Sequence, residues 1–214
     1  MKIDKNKPLS DHTKLDYDEC CAKLILEELF PERYSNLIIA DRPDLQGDNV
    51  GIEVTIADAP EYREMLANWN KAYNSQNDKQ KEHCVQRMDQ MGAKYNGGVQ
   101  VWPGYAPKFD MTKKAVDTKI QKLKKGLYGS FNRNELFIFT DTWYYDGLIE
   151  TAKQYFFNNY VSDCYKTIYL LSEGLNLHIF ETENSIYRQI KIDYLEQCNR
   201  NRRARKMIED AEET

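Results

Sequence analysis

RPDLQGDNVGIEVTIA, residues Arg42–Ala57, sets an acid beside a proline, passes through a Gly-Asp-Asn turn and ends in an apolar run broken by one glutamate. Successive side chains of a strand point to opposite faces. Val50, Ile52, Val54 and Ile56 therefore share one face, and Gly51, Glu53 and Thr55 share the other. Glu53 and Thr55 would stand about 7 Å apart along the strand. A carboxylate on that face needs water, a cation or a partner, because burying it unpaired costs several kcal/mol. Asp44 lies just past a preceding apolar run, Asn36–Ala40. Hairpin pairing of the two runs would bring Asp44 and Glu53 to one side of the sheet. Converging carboxylates repel one another and favour a hard divalent cation with oxygen ligands, Mg2+ or Mn2+. Asp41 and Asp48 compete with Asp44 from the same loop.

Outward from this stretch, Leu15–Phe30 reads as a helix, with Thr13 as N-cap and Pro31 closing it. Its apolar stripe is Leu15, Ala22, Ile25, Leu26 and Leu29. Glu19 borders that stripe on the helical wheel and is the helix acid best aimed at the sheet, whereas Glu27 and Glu28 fall away from it and are expected in solvent. After the Glu53 strand comes a polar helical region, about 60–94. Tyr62, Met65, Leu66, Trp69 and Tyr73 recur at helical spacing, and Val85, Met88 and Met91 mark a second helix. This predicts a helical hairpin inserted in a single domain. The Gly- and Pro-rich stretch Tyr95–Phe109 holds one strand, Gly98–Trp102.

Met111–Leu127 reads as helix, with Val116, Ile120, Leu123 and Leu127 as its core line. Glu135–Asp141 is an apolar strand and Asp146–Asn159 a helix. Three strands follow, Thr167–Leu171, Leu175–Phe180 and Ile186–Ile192, and a charged basic helix runs over about 194–212. Helices thus alternate with strands, which predicts a mixed α/β (α+β) fold built on a central sheet.

The chain has 214 residues, net charge −4 and 41% hydrophobic residues, enough for one substantial domain and without a global field for nucleic acid. Charge is local instead: six lysines in Lys113–Lys125, and four arginines and a lysine in Arg200–Lys206. Either patch can hold phosphate. No apolar run approaches the length of a membrane span. The charged start Met1–Pro8 and five cysteines without C-x-x-C spacing lead to the expectation of a cytoplasmic chain with reduced thiols. His12, His83 and His178 are scattered, which argues against zinc. No nucleophile elbow or P-loop is present. The Gly97-Gly98 and Pro103-Gly104 pairs read as turns, and Trp69 and Trp102 read as packing residues rather than base-stacking platforms.

The order helix acid (Glu19), Pro-Asp (Pro43-Asp44), then a strand Glu-x-x (Glu53-Val54-Thr55), followed by a helix and a strand, resembles the PD-(D/E)xK nuclease superfamily. The resemblance spans roughly Leu15 to Trp143, interrupted by the helical insertion. It implies a restriction-endonuclease-like fold and metal-dependent phosphodiester hydrolysis. Asp44, Glu53 and the Val54 carbonyl would be metal ligands, Glu19 would assist, and Mg2+ or Mn2+ would be the cofactor. The partner would be nucleic acid, DNA favoured over RNA, with a homodimer left open. The sequence departs from the pattern at Thr55, where the family carries lysine. In this superfamily the lysine can migrate to the following helix, where Lys119 and Lys122 are candidates and Lys122 is slightly preferred; Gln121 could orient a water but carries no charge. The departure also admits a member that binds nucleic acid or a protein without cutting. A third possibility is an interaction module working through the helical insertion.

Overall fold

A computed structural model of the chain describes residues 13–75, 77–95, 99–101, 109–142 and 144–213. His12, Trp102 and the Gly97-Gly98 and Pro103-Gly104 pairs lie outside these residues. The chain divides into two compact units: His12–Ala57 with Lys108–Thr214 forms the larger, and Asp58–Pro107 belongs to the other.

The larger unit is built on a seven-stranded mixed sheet of order β1-β2-β3-β6-β7-β8-β9. Its helices are α1 (Tyr17–Leu29), α4 (Phe109–Lys124), α5 (Asp146–Phe156), α6 (Asn159–Ser162) and α7 (Tyr194–Glu213). The strands are β1 (Ile38–Ile39), β2 (Leu45–Gly47), β3 (Val50–Ile56), β6 (Arg133–Thr140), β7 (Thr167–Ser172), β8 (Asn176–Glu181) and β9 (Ile186–Lys191). The centre, β3-β6-β7, is parallel, and both margins are antiparallel. Parallel strands are covered on both faces and read as continuous apolar runs; every residue of β7 is buried.

Two cores line the two faces of the sheet. Val50, Ile52, Val54, Phe137, Tyr169 and Leu177 pack against Ala22, Ile25 and Leu26 of α1, with α7 packed on α1. On the opposite face, Leu136, Ile138, Ile168 and Leu170 pack against Val116 and Ile120 of α4 and Leu148, Ala152 and Phe156 of α5. Each such fully buried aliphatic or aromatic side chain contributes about 1.5–3 kcal/mol. The apolar alternation of β3 fills the α1 core, so its polar face, with Glu53, looks toward α4.

The smaller unit contains α2 (Pro60–Asn74), α3 (Asp78–Gln90), β4 (Lys94–Tyr95) and β5 (Val99–Val101). Met65, Ala72, Cys84 and Met88 join the two helices, with Tyr62, Leu66, Trp69 and Val85 half-buried around them. Tyr73 is exposed and stacks on Trp69. Ala59 precedes α2 without a side-chain cap but with Pro60 at its first position, where the missing N–H is no loss.

Four expectations are corrected. Asp16, not Thr13, caps α1, accepting from the N–H groups of Asp18 and Glu19. The turn-rich stretch before Val50 holds an additional strand, β2, joined to β3 by a tight turn in which Asn49 takes positive φ. Leu127 lies beyond the end of α4 and is exposed. Glu27 is not free in solvent, since it accepts from Lys23 and the Leu37 N–H, whereas Glu28 is exposed as expected and pairs with Arg200 and Arg203 of α7. Lys23 sits four residues before Glu27 on α1 itself, but the Leu37 N–H and the α7 arginines come from elsewhere in the chain, which the helical wheel could not show.

Candidate functional site

The β2–β3 ladder stops at Leu45↔Ile52. Beyond it, β3 continues toward Ile56 with only β6 beside it, so the outward N–H of Val54 has no strand carbonyl to meet. The Asp44 side chain meets it instead: Oδ2 accepts from Val54 N–H at 2.6 Å. A backbone donor thereby fixes the orientation of the carboxylate. Pro43 is buried against Gly51, where a Cβ would lie 2.6 Å from Pro43 Cγ and 2.8 Å from Phe131 Cδ2. Gly51 is therefore the residue that lets the Pro-Asp corner close onto the strand.

Glu53 is 3% exposed. From α4, Lys119 reaches both acids, with Nζ 2.5 Å from Glu53 Oε2 and 3.3 Å from Asp44 Oδ2. Its aliphatic stem runs beside the Val116–Ile120 core line and its ammonium ends at the carboxylates, as long cationic side chains do. The two acids are thus close enough to share one cation, and Lys119 is that cation here. Burial raises the proton affinity of Glu53, opposed first by Lys119.

Glu19 stands in the first turn of α1, half-buried. Burial first, then the charges of Asp44 and Asp16, push its pKa up to about 7. It feels Asp44, Lys119 and Glu53 electrostatically, yet the three acids do not close into one ligand set. Among the described residues, no group of three His, Cys, Asp or Glu side chains is placed to hold a metal ion by itself.

Of the sequence-derived candidates, then, Asp44, Glu53 and Lys119 meet directly and Glu19 stands within electrostatic reach. Lys122 and Gln121 are exposed on α4, so the preference for Lys122 is corrected to Lys119. Three residues of helix turn the side chain by about 60°, and that rotation separates the face against β3 from the face in water. Thr55 is half-buried on β3 and is not among the partners of Asp44 or Glu53. Val54 enters the site through its N–H. Asp41 is 92% exposed on its side chain and Asp48 is exposed, whereas Asp44 meets Lys119.

Sequence reasoning did not find Tyr128 and Tyr165. Tyr128 lies in the loop after α4; its hydroxyl is buried without a hydrogen-bond partner, and burial first and then the Glu53 charge push its pKa up. Tyr165, just before β7, is 1% exposed and acts electrostatically on Tyr128 and Glu53. No periodicity marks a loop tyrosine. Gly51 did carry a signal, as a strand glycine on the same face as Glu53.

The basic patches differ. On α4, Lys113, Lys114, Lys122 and Lys124 are exposed, as is Lys125 just beyond its end, with Lys113 over the Tyr155 ring and Lys124 over the Tyr160 ring. On α7, Arg200 is buried against Glu28 and Glu196, Arg203 pairs with Glu28, and Arg205 with Glu209. Arg200 is thus taken up within the protein, whereas Arg202, Arg203 and Lys206 are exposed. No described helix is long and apolar enough to cross a membrane. No protein-family model, curated protein or solved structure matches the chain.

Proposed function

We propose that the chain is a metal-dependent nuclease of the PD-(D/E)xK type, with α1, β1–β3, α4 and β6 as a restriction-endonuclease-like core. The observation that carries this reading is the meeting of Asp44, Glu53 and Lys119: a carboxylate from the corner before β2 and one from β3 sharing one helix-borne ammonium. The resemblance asks for those three groups and allows the lysine to come from this helix.

The donor set suits a hard cation. Mg2+ retains several waters and needs only one or two protein carboxylates, and Glu53 Oε1 is a buried acceptor without a formed hydrogen bond. Asp44 and Glu53 would hold the ion, with the Val54 carbonyl as a further ligand by resemblance and Glu19 assisting from α1. Such an ion would lower the pKa of a bound water and offset charge on the scissile phosphate. Lys119, released from the carboxylates, would stabilise negative charge developing on the phosphate. The exposed lysines of α4 lie on the same helix and would hold the nucleic-acid backbone, DNA in preference to RNA.

Cleavage of single- and double-stranded DNA and RNA, with Mg2+ or Mn2+ against chelator, tests the proposal. Metal-dependent cleavage is expected, reduced by about a hundredfold or more in Asp44→Ala, Glu53→Ala and Lys119→Ala. Intact substrate under every metal would overturn it. A second reading, binding without cutting, is favoured by one observation: Lys119 already satisfies both acids. It would be supported by salt-sensitive binding without cleavage, lost when the α4 lysines are replaced.

A further inference from the structure

The exposed lysines of α4 and its end do not share one environment. At 100° per residue, Lys113, Asp117 and Lys124 fall within about 40° of one another on the helix circumference. They form the flank turned to α5 and α6. Lys113 Nζ stands 5.7 Å from the centre of the Tyr155 ring and Lys124 Nζ 4.6 Å from that of Tyr160. Between them, the Tyr155 hydroxyl donates to Asp117 Oδ1 at 2.6 Å. An ammonium laid on a tyrosine face beside a carboxylate has part of its charge already met.

Lys114, Thr118, Lys122 and Lys125 recur at i, i+4, i+8 and i+11, a second stripe on the other flank. Lys125 belongs to it because its N–H keeps the helical bond to the Gln121 carbonyl. All four are exposed. Among the described residues, none of these three lysines makes an ion pair or stands over a ring. The stripe contains neither an acid nor an apolar side chain. Lys122 is turned about 60° from Lys119, away from the Val116–Ile120 core line. Lys119 therefore marks the border between core and stripe, with its ammonium on Glu53 and Asp44. Along the axis, Lys114 lies about 7.5 Å before Lys119, and Lys122 and Lys125 about 4.5 and 9 Å beyond it. Free cations thus stand on both sides of the acid pair. The exposed cations of α7 lie elsewhere, since α7 packs on α1 and α1 covers the sheet face opposite α4.

We infer that the stripe Lys114, Lys122 and Lys125 is the surface that holds the backbone of a nucleic-acid strand as it passes the acid pair, and that the flank held by Tyr155 and Tyr160 takes no part. A row of cations without apolar anchors fits a chain of phosphates, each contact releasing counterions. A helix lying on a membrane would need exposed apolar side chains to insert. With net charge −4, no global field does the work of the stripe. The inference rests on the proposed nuclease reading for the identity of the partner, but not on the metal or on cleavage.

Two variants of equal net charge test it: Lys114→Gln with Lys122→Gln, and Lys113→Gln with Lys124→Gln. Binding of labelled single-stranded and duplex DNA and RNA is read by fluorescence anisotropy in chelator, across a KCl series. Each lost phosphate contact lowers the slope of log affinity against log salt by about 0.7 on single strands and about 0.9 on duplex DNA. The first variant is therefore expected to lose about 1.4–1.8 of the wild-type slope, and the second less than half of that. Thermal unfolding checks that both fold; Lys122→Gln with Lys125→Gln repeats the comparison if the first pair does not. Equal losses in the two variants overturn the inference, as does a wild type that binds none of the nucleic acids, or that binds only vesicles of phosphatidylserine and phosphatidylcholine. If the contrast holds and nothing is cut under any metal, the nuclease reading fails and the stripe stands.

Discussion

Between Asp44 Oδ2 and Glu53 Oε2, the ammonium of Lys119 stands where a divalent cation would share the same two oxygens. One positive charge against two negative ones leaves the site short of cation, and an ionised Glu19 would deepen the deficit. Removing the lysine strands two largely buried carboxylates, a loss of about 3 kcal/mol or more by the usual behaviour of broken buried pairs. Lys119→Gln is therefore expected to lower the melting temperature without metal and to regain more of it than wild type does on adding Mg2+, by mass action on the folded state. Differential scanning calorimetry with and without Mg2+ checks this; a variant indifferent to Mg2+ would remove the cation from the site.

At the scale of elements, α1 is tied to α7 by Glu28, which takes Arg200 at 2.5 Å and also Arg203. Arg200 is 4% exposed and keeps a buried Nη1 without a partner, so it depends on Glu28. Glu28→Gln is expected to destabilise by about 3 kcal/mol or more, read as a lower urea midpoint, while the salt dependence of nucleic-acid binding stays unchanged. Replacing Lys113, Lys114 and Lys122 together should do the reverse, flattening the salt slope with little change in stability. The same elements show what a sequence can carry. The strands β3, β6, β7, β8 and β9 and the helices α4 and α5 were legible because burial gives them either a period or a continuous apolar run. Asp44 and Glu53 were legible because a proline and a strand alternation frame them. β2 was not, since three residues in a turn-rich loop have no period, and its formation depends on β3 being beside it. The choice of Lys119 over Lys122 needed the rotation of α4 against the sheet, and the loop tyrosine Tyr128 needed the path of the whole chain.

At the scale of the molecule, the larger unit holds one buried histidine among its described residues. His178 on β8 is 1% exposed, with Nδ1 2.9 Å from the Tyr187 hydroxyl and its ring against Tyr144. Burial lowers its pKa from about 6.5 to about 4. The unfolded chain thus binds a proton that the folded chain refuses. The stabilisation is complete above about pH 6.5 and is lost as pH falls toward 4, amounting to about 3 kcal/mol. Urea midpoints at pH 7 and pH 5 should differ more for wild type than for His178→Gln; equal pH sensitivity would show that the ring is protonated in the folded state.

The early end of the β2–β3 ladder also decides where the chain can change length. The turn 183–185, between β8 and β9, joins strands that carry none of Asp44, Glu53 or Lys119, and a residue added there shifts none of the three. The corner from Ala40 to Asp44 is different: the Ala40 N–H bonds the Asp44 carbonyl, and the Asp44 side chain stands in for the missing next rung of the ladder. One residue more or fewer there would turn that side chain to the other face of the sheet. Among relatives that keep the site, this corner should therefore be fixed in length even where its composition drifts, while the surface turns lengthen and shorten freely.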